Sequence, residues 1–262
     1  MITGGSSGIG GAIAARMVRG GAHVHLVARN DAALQATARA LTELRLSPAQ
    51  QVSTIVCDVA DPESVQGMFR VLRAAAVAPD IVVNSAGISL PGRFNEQPLA
   101  EAERLMQVNY FGTVHVLKEV VPGMIARRHG HILNIGSVAS LLGVYGLSGY
   151  CASKFAVRGL TESLRQELKP IGIKVSLLCP PDTDTPMLAA EAAMKPTETA
   201  AMSKSAGVMT ADAVAAKAMK GMATGAAVIV PGFEARFTAF AQRLAPGLVE
   251  RISDRIIRSA QR

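Results

Sequence analysis

Short β-branched runs alternating with longer Ala-rich stretches constrain this chain more than any other feature. The strand candidates are His23–Ala28, Val52–Asp58, Asp80–Asn84, His131–Ile135, Lys174–Cys179 and Ala226–Val230. Each is a compact apolar run, the pattern of a strand covered on both faces. Helical segments Gly10–Gly20, Asp31–Leu44, Pro62–Ala76, Leu99–Arg127 and Ser148–Lys169 lie between them. Such alternation calls for right-handed crossovers, and hence a parallel sheet with helices on both faces. The expected fold class is a doubly wound α/β domain, whose ligands bind beyond the carboxyl ends of the strands. With 262 residues, 49% apolar and 18% charged, the chain can bury one large core. No repeat or linker divides it, so residues 1–262 are expected to form a single domain.

Only Met1, Ile2 and Thr3 precede the first glycine, whereas a buried strand runs about 5 residues. A complete chain of this type is expected to begin several residues upstream, with Met1 an internal methionine. No stretch approaches the roughly 18 consecutive apolar residues of a membrane-crossing helix. The start carries no basic flank or apolar run of a secretory signal. Cys57, Cys151 and Cys179 are odd in number and far apart. They argue against a disulfide framework or a metal site and fit a reducing, cytoplasmic setting. The formal charge of +7 invites a nucleic-acid reading, but aromatic residues are only 4% with no Trp, and no nucleic-acid motif accompanies the charge.

Thr3-Gly4-Gly5-Ser6-Ser7-Gly8-Ile9-Gly10 sits where a first strand hands over to a helix. Glycines permit the tight turn and close backbone approach to a phosphate, and the helix N-terminus offers free N–H groups to that anion. At the end of strand two, dinucleotide folds that take NAD place a carboxylate on the ribose 2′-OH. This chain reads Val27-Ala28-Arg29-Asn30 there. A guanidinium clamps a 2′-phosphate that a carboxylate would repel, so the expected cofactor is NADPH/NADP+.

Tyr150-Cys151-Ala152-Ser153-Lys154 places a phenol and an ammonium at i and i+4 of a helix, on one face. A neighbouring ammonium favours the phenolate, so Lys154 is expected to lower the Tyr150 pKa. Tyr150 then serves as general acid, protonating a ketone oxygen as hydride arrives at carbon. Ser137, just after a strand end, is placed to hydrogen-bond the same oxygen.

Together these residues resemble the short-chain dehydrogenase/reductase family over nearly the whole chain. The family's glycine motif T-G-x-x-x-G-x-G matches Thr3 to Gly10, its adenine-contacting Asp-Val matches Asp58-Val59, and its N-x-A-G matches Asn84-Ser85-Ala86-Gly87. Its catalytic tetrad matches Asn109, Ser137, Tyr150 and Lys154. The resemblance implies a Rossmann-type domain and a C=O/CH–OH oxidoreductase. It implies cofactor contacts from Gly4, Ser6, Ser7, Gly8, Ile9, Gly10, Arg29, Asp58, Val59, Asn84, Ala86, Gly87, Tyr150, Lys154, Pro180, Thr183 and Thr185. It also implies that Lys154 binds the nicotinamide ribose, that Asn109 supports a water in a proton relay, and that the enzyme is a dimer or tetramer. After strand six the family has Pro-Gly, whereas this chain has Cys179-Pro180-Pro181-Asp182-Thr183-Asp184-Thr185-Pro186. The second proline forbids positive φ and removes an N–H. That string, with Leu26–Asn30 and Tyr150–Gly159, is similar to the 3-ketosphinganine reductase group of the superfamily. It implies a hydrophobic, sphingoid-type ketone as substrate.

On the substrate side, residues 187–207 carry Met187, Met194 and Met202 and are expected to form a lid, since thioethers adapt to irregular apolar shapes. Residues 244–262 form a basic amphipathic helix, with Leu248, Ile252 and Ile256 interleaved with Arg251, Arg255 and Arg258. Three placements fit it: on an anionic membrane, over the substrate pocket, or against another subunit. Two other functions stay open. One is reduction of a different hydrophobic ketone, steroid-like or 3-oxoacyl. The other is dinucleotide sensing without turnover.

Overall fold

The computed structural model describes the backbone of residues 1–262 and every side chain except those of 205 and 206. In chain order the elements begin β1 (Ile2–Thr3), α1 (Gly8–Arg19), β2 (Val24–Ala28), α2 (Asp31–Thr42), β3 (Val52–Val56), α3 (Pro62–Ala74) and β4 (Ile81–Asn84). Then come α4 (Leu99–Leu105), a π-helical turn (Met106–Phe111), α5 (Gly112–Arg127), β5 (Gly130–Ile135), α6 (Ser148–Leu168) and β6 (Ile173–Leu178). The rest comprises β7 (Thr183–Asp184), α7 (Pro186–Glu191), α8 (Thr197–Ala206), β8 (Met209–Thr210), α9 (Ala211–Thr224), β9 (Val228–Ile229), α10 (Phe233–Leu244) and α11 (Pro246–Ala260).

Seven strands make one parallel sheet in the order β3-β2-β1-β4-β5-β6-β9. β1 is short, yet its two buried residues pair on both sides, Ile2 with Leu26 and with Val83. The paired apolar residues in each strand explain why the sheet is covered twice. Val83 and Leu133 enter one core with Ile13 and Val18 of α1 and Val214 and Ala218 of α9. Their neighbours Val82 and Ile132 enter the other with Val65 and Phe69 of α3 and Val116 and Met124 of α5. Successive residues of a strand point to opposite faces, so an unbroken apolar run supplies two cores at once. Strand order reverses between β1 and β4, and this switch point opens a crevice at the strand ends.

Local chemistry sets the helix starts. Asn30 Oδ1 accepts from the Ala33 N–H at the head of α2, and the Asp61 carboxylate accepts from the Glu63 and Ser64 N–H groups at the head of α3. α1 differs, for Ser7 gives it no side-chain cap and its first turn has no acid.

Three expectations are corrected. The helix read over Leu99–Arg127 is interrupted by the π turn around Asn109. There the Asn109 side chain binds the Ile88 backbone, and Gly112 packs so closely on Val59 that a Cβ would lie 2.7 Å from its Cγ2. The strand read over Ala226–Val230 shrinks to β9 at the sheet edge. The helix read over residues 244–262 begins at Pro246 and ends at Ala260, while Leu244 belongs to the preceding helix α10, set off by Ala245 at φ −142°, ψ 60°.

Candidate active site

A cleft of about 1000 Å³ runs along the carboxyl ends of the strands, from the glycine turn to α10 and α11. Its floor is built by glycine. Gly4 and Gly8 take φ of +64° and +54°, a region costly for residues with a Cβ. A Cβ on Gly4 would lie 2.7 Å from the Ala86 nitrogen, and one on Gly10 would meet the Gly4 carbonyl at 2.4 Å. Thr3 ties the turn to the next loop, as its Oγ1 accepts from the Ser85 and Ala86 N–H groups at 3.1 and 3.2 Å. The uncapped head of α1 thus faces the cleft beside Ser6, Ser7 and Ile9. This donor set fits the pyrophosphate of a dinucleotide. Thr185 packs over Gly8 and caps α7 through the Leu188 N–H.

Arg29 leaves the end of β2 into the same cleft, 3.8 Å from the Asp58 carboxylate, and both side chains are about half exposed. An exposed pair at that distance is weak, which leaves the guanidinium free to reorient toward an anion. Val59, Ala86 and Gly87 complete this end.

Three of the tetrad candidates meet in the cleft. Ser137 caps a short turn, accepting from the Ala139 N–H, and reaches the Tyr150 phenol as a hydrogen-bond partner. Lys154 is buried on the same face of α6, its Nζ donating to the Ile135 carbonyl at 2.9 Å. Burial pulls its pKa down to about 8. Tyr150 departs from expectation. Burial pushes its pKa above the usual range, the Ser137 hydrogen bond opposes this, and the charges of Glu191 and Asp182 push further upward. The ammonium lies over the ring, 5.6 Å from its centroid, and burial is the largest cause of the upward shift.

Asn109, Asn84 and Gly10 lie behind the cleft lining. The Asn109 Oδ1 accepts from the Ile88 N–H, while its Nδ2 donates to the Ile88 carbonyl and to Ser153 Oγ. It thereby clamps the π turn to the loop after β4 and to α6. Its Oδ1 and the Lys154 Nζ flank Gly87, at 3.1 and 3.5 Å from where a Cβ would sit. Asn84 instead binds Asn134 across the sheet, Nδ2 to Oδ1 at 2.8 Å. Gly10 serves the turn's packing.

Beyond Tyr150 the cleft changes character. Pro180, Pro181, Asp182 and Thr183 form one wall. The proline string keeps φ negative and turns through carbonyls, the Pro180 oxygen accepting from Val138 N–H and the Pro181 oxygen from Thr183 Oγ1. Met187 and Met202 reach the cleft, while Met194 does not. Glu191 of α7 was missed by the sequence reading; it is buried and shares Lys195 with Asp182, at 3.2 and 3.4 Å. Both carboxylates face the cleft and Lys195 lies behind them, so this patch carries one surplus negative charge. The far wall is apolar, with Leu142, Val144, Phe237, Ala241, Val249 and Ile256 among its residues. Glu191 was legible only as one of two acids, with Glu198, in the Ala/Met-rich run 187–207, and the wall from α10 had no signal of its own.

The short chain dehydrogenase family model matches residues 1–196. A mouse protein named 3-ketodihydrosphingosine reductase is 38% identical over 221 residues, which cover 84% of this chain and 67% of that protein. A zebrafish 3-dehydrosphinganine reductase is 39% identical over 82% of this chain and 65% of its own length. The chain thus spans about two thirds of the length of these relatives. Among solved structures, a short-chain dehydrogenase from Sphingobium yanoikuyae in complex with NADPH matches with a TM-score of 0.78 and 30% identity, over 95% of this chain and 94% of that one. Fold, motif order and family match agree: the chain belongs to the short-chain dehydrogenase/reductase family of oxidoreductases acting on C=O and CH–OH groups.

Proposed function

We propose that this chain is an NADPH-dependent reductase of a long-chain amino ketone of the 3-ketosphinganine type, yielding the secondary alcohol. The observation that carries the reading is the pairing of unlike surfaces around Tyr150. The surplus negative charge of Asp182 and Glu191 suits an ammonium adjacent to the reacting carbonyl. The apolar wall that follows suits an alkyl chain. Relatives named for 3-ketodihydrosphingosine and 3-dehydrosphinganine reduction support it. A 3-oxoacyl thioester on an anionic carrier and an uncharged steroid ketone each leave the acidic patch without a partner.

A bound nicotinamide dinucleotide supplies the hydride. Arg29, with Ser6 and Ser7, holds the 2′-phosphate, and the head of α1 holds the pyrophosphate. Lys154 orients the ribose through its ammonium donors. Ser137 hydrogen-bonds the ketone oxygen, and Tyr150, kept protonated by burial, donates its proton to that oxygen. Asn109 holds the reprotonating water near Lys154. The three free, buried cysteines accord with work in a reducing, cytoplasmic setting.

The test follows NADPH absorbance with 3-ketosphinganine, a 3-oxoacyl thioester and a steroid ketone in parallel. Preference for the amino ketone is expected. Preference for either rival overturns the substrate, and tight NADPH binding without any turnover overturns the enzymatic reading in favour of a sensor.

A further inference from the structure

Helix α10 presents Phe233, Phe237, Phe240 and Leu244 at i, i+4, i+7 and i+11, a single stripe. These side chains are 78, 62, 61 and 65% exposed. Leu248 and Ile252 of α11 extend the stripe and are about half exposed. Surface phenylalanines in such a row leave a contiguous apolar face, which marks an interaction site rather than ordinary surface. Basic groups surround it: residues 233–262 hold six arginines against three acidic residues. Among the described residues, Arg236, Arg243, Arg251 and Arg255 form no ion pair, whereas Arg258 pairs with Asp254.

We propose that α10 and α11 together dock this protein on an anionic lipid surface, with the mouth of the cleft against the bilayer. Two observations choose this occupant. Apolar side chains flanked by arginines match the acyl boundary and phosphate level of an anionic leaflet. A second copy of the same face would instead bring like charges together across a two-fold axis. The stripe is also continuous with the cleft, because Phe237 and Ile252 belong to both. A long-chain ketone therefore passes from the leaflet along these two residues to Tyr150 without exposing its chain to water. Among the described residues no helix is long and apolar enough to cross a membrane, so these helices lie in the interface plane. The delivery route rests on the proposed long-chain substrate; the docking itself does not.

The experiment uses the full chain with vesicles of phosphatidylcholine alone and mixed with phosphatidylglycerol. Co-sedimentation with the mixed vesicles, weakened by added salt, is expected. The triple variant Phe233→Ser/Phe240→Ser/Leu244→Ser changes only residues outside the cleft lining. It should bind vesicles at least roughly tenfold more weakly and lose turnover of vesicle-borne ketone, while reducing a short water-soluble ketone as the parent does. Arg251→Gln/Arg255→Gln should lose the preference for phosphatidylglycerol. Equal sedimentation of parent and triple variant overturns the proposal. So does a triple variant that only shifts oligomeric mass in light scattering, which gives the face to a second copy. Vesicle binding with no reduction of 3-ketosphinganine in detergent overturns the substrate reading and leaves the docking standing.

Discussion

Lys154 holds its ammonium 5.6 Å from the centroid of the Tyr150 ring, while its Nζ donates to the Ile135 carbonyl. The lysine is thereby spent on position. Burial raises the phenol's pKa, so it holds its proton until hydride transfer builds negative charge on the ketone oxygen.

Replacing Tyr150 with Phe removes that donor and keeps the ring. Reduction should fall by roughly 10²–10⁴-fold, the usual contribution of a general acid. NADPH affinity, read by fluorescence titration, should stay within about twofold, because the glycine turn, Arg29 and Lys154 are untouched.

The buried Lys154 also sets a pH dependence with two opposite signs. Its folded pKa is about 8, against an unperturbed 10.5. As pH rises through about 8 the ammonium is lost, so NADPH binding to the free enzyme should weaken. Between about 8 and 10.5 the unfolded chain binds the extra proton and the folded chain does not, so this group's contribution to stability rises with pH. Lys154→Met should flatten both profiles, measured by cofactor titration and by urea denaturation.

Arg29 gives the third prediction. Among the described residues its one ion-pair partner is Asp58, loosely held at 3.8 Å, so Arg29→Asp costs little stability but sets a carboxylate where the 2′-phosphate is proposed to lie. The ratio of kcat/KM for NADPH over NADH should drop roughly 100-fold, the loss of one charge-assisted clamp plus repulsion. An unchanged ratio removes Arg29 from cofactor selection.

The parallel sheet and the cleft floor were legible because they depend on local necessities: apolar runs that fill two cores, and glycines where a Cβ would strike backbone. Arg29, Ser137, Tyr150 and Lys154 were legible through spacing along elements whose ends face one crevice. Other features depend on partners distant in sequence. Asn84 looks like a cofactor residue until Asn134 is found beside it on β5. The π turn at Asn109 follows from its bonds to Ile88 and Ser153, which no periodicity in Leu99–Arg127 announces. The phenol's raised pKa was misread because i, i+4 spacing reports proximity but not burial.

Glu191 supplies a test of substrate recognition. Glu191→Gln keeps the side-chain size and removes the surplus negative charge beside Tyr150. The KM for the amino ketone should rise roughly 10-fold or more, as expected for a lost charge-assisted contact, while an alkyl ketone without the amine should change little. Equal effects on both ketones would assign Glu191 to positioning α7 through Lys195 rather than to recognition.

The polar chain behind the site should matter for stability alone. Asn84 Nδ2 donates to Asn134 Oδ1, Asn134 Nδ2 donates to Thr161 Oγ1, and Thr161 Oγ1 donates to the Val157 carbonyl. These bonds link β4, β5 and the helix that carries Tyr150 and Lys154, and Asn84, Asn134 and Thr161 are all buried. Asn134→Ala opens a gap and leaves the Asn84 amide nitrogen without its partner, in addition to its Oδ1, which has none among the described residues. The expected loss is about 2–4 kcal/mol, the desolvation cost of a stranded amide plus the cavity. Asn84→Leu/Asn134→Leu removes both amides together and should cost clearly less than the sum of the two single leucine changes, because each single change strands the other's polar group. Urea denaturation of the four chains reads this coupling, with an unchanged m-value confirming that the unfolding reaction is the same.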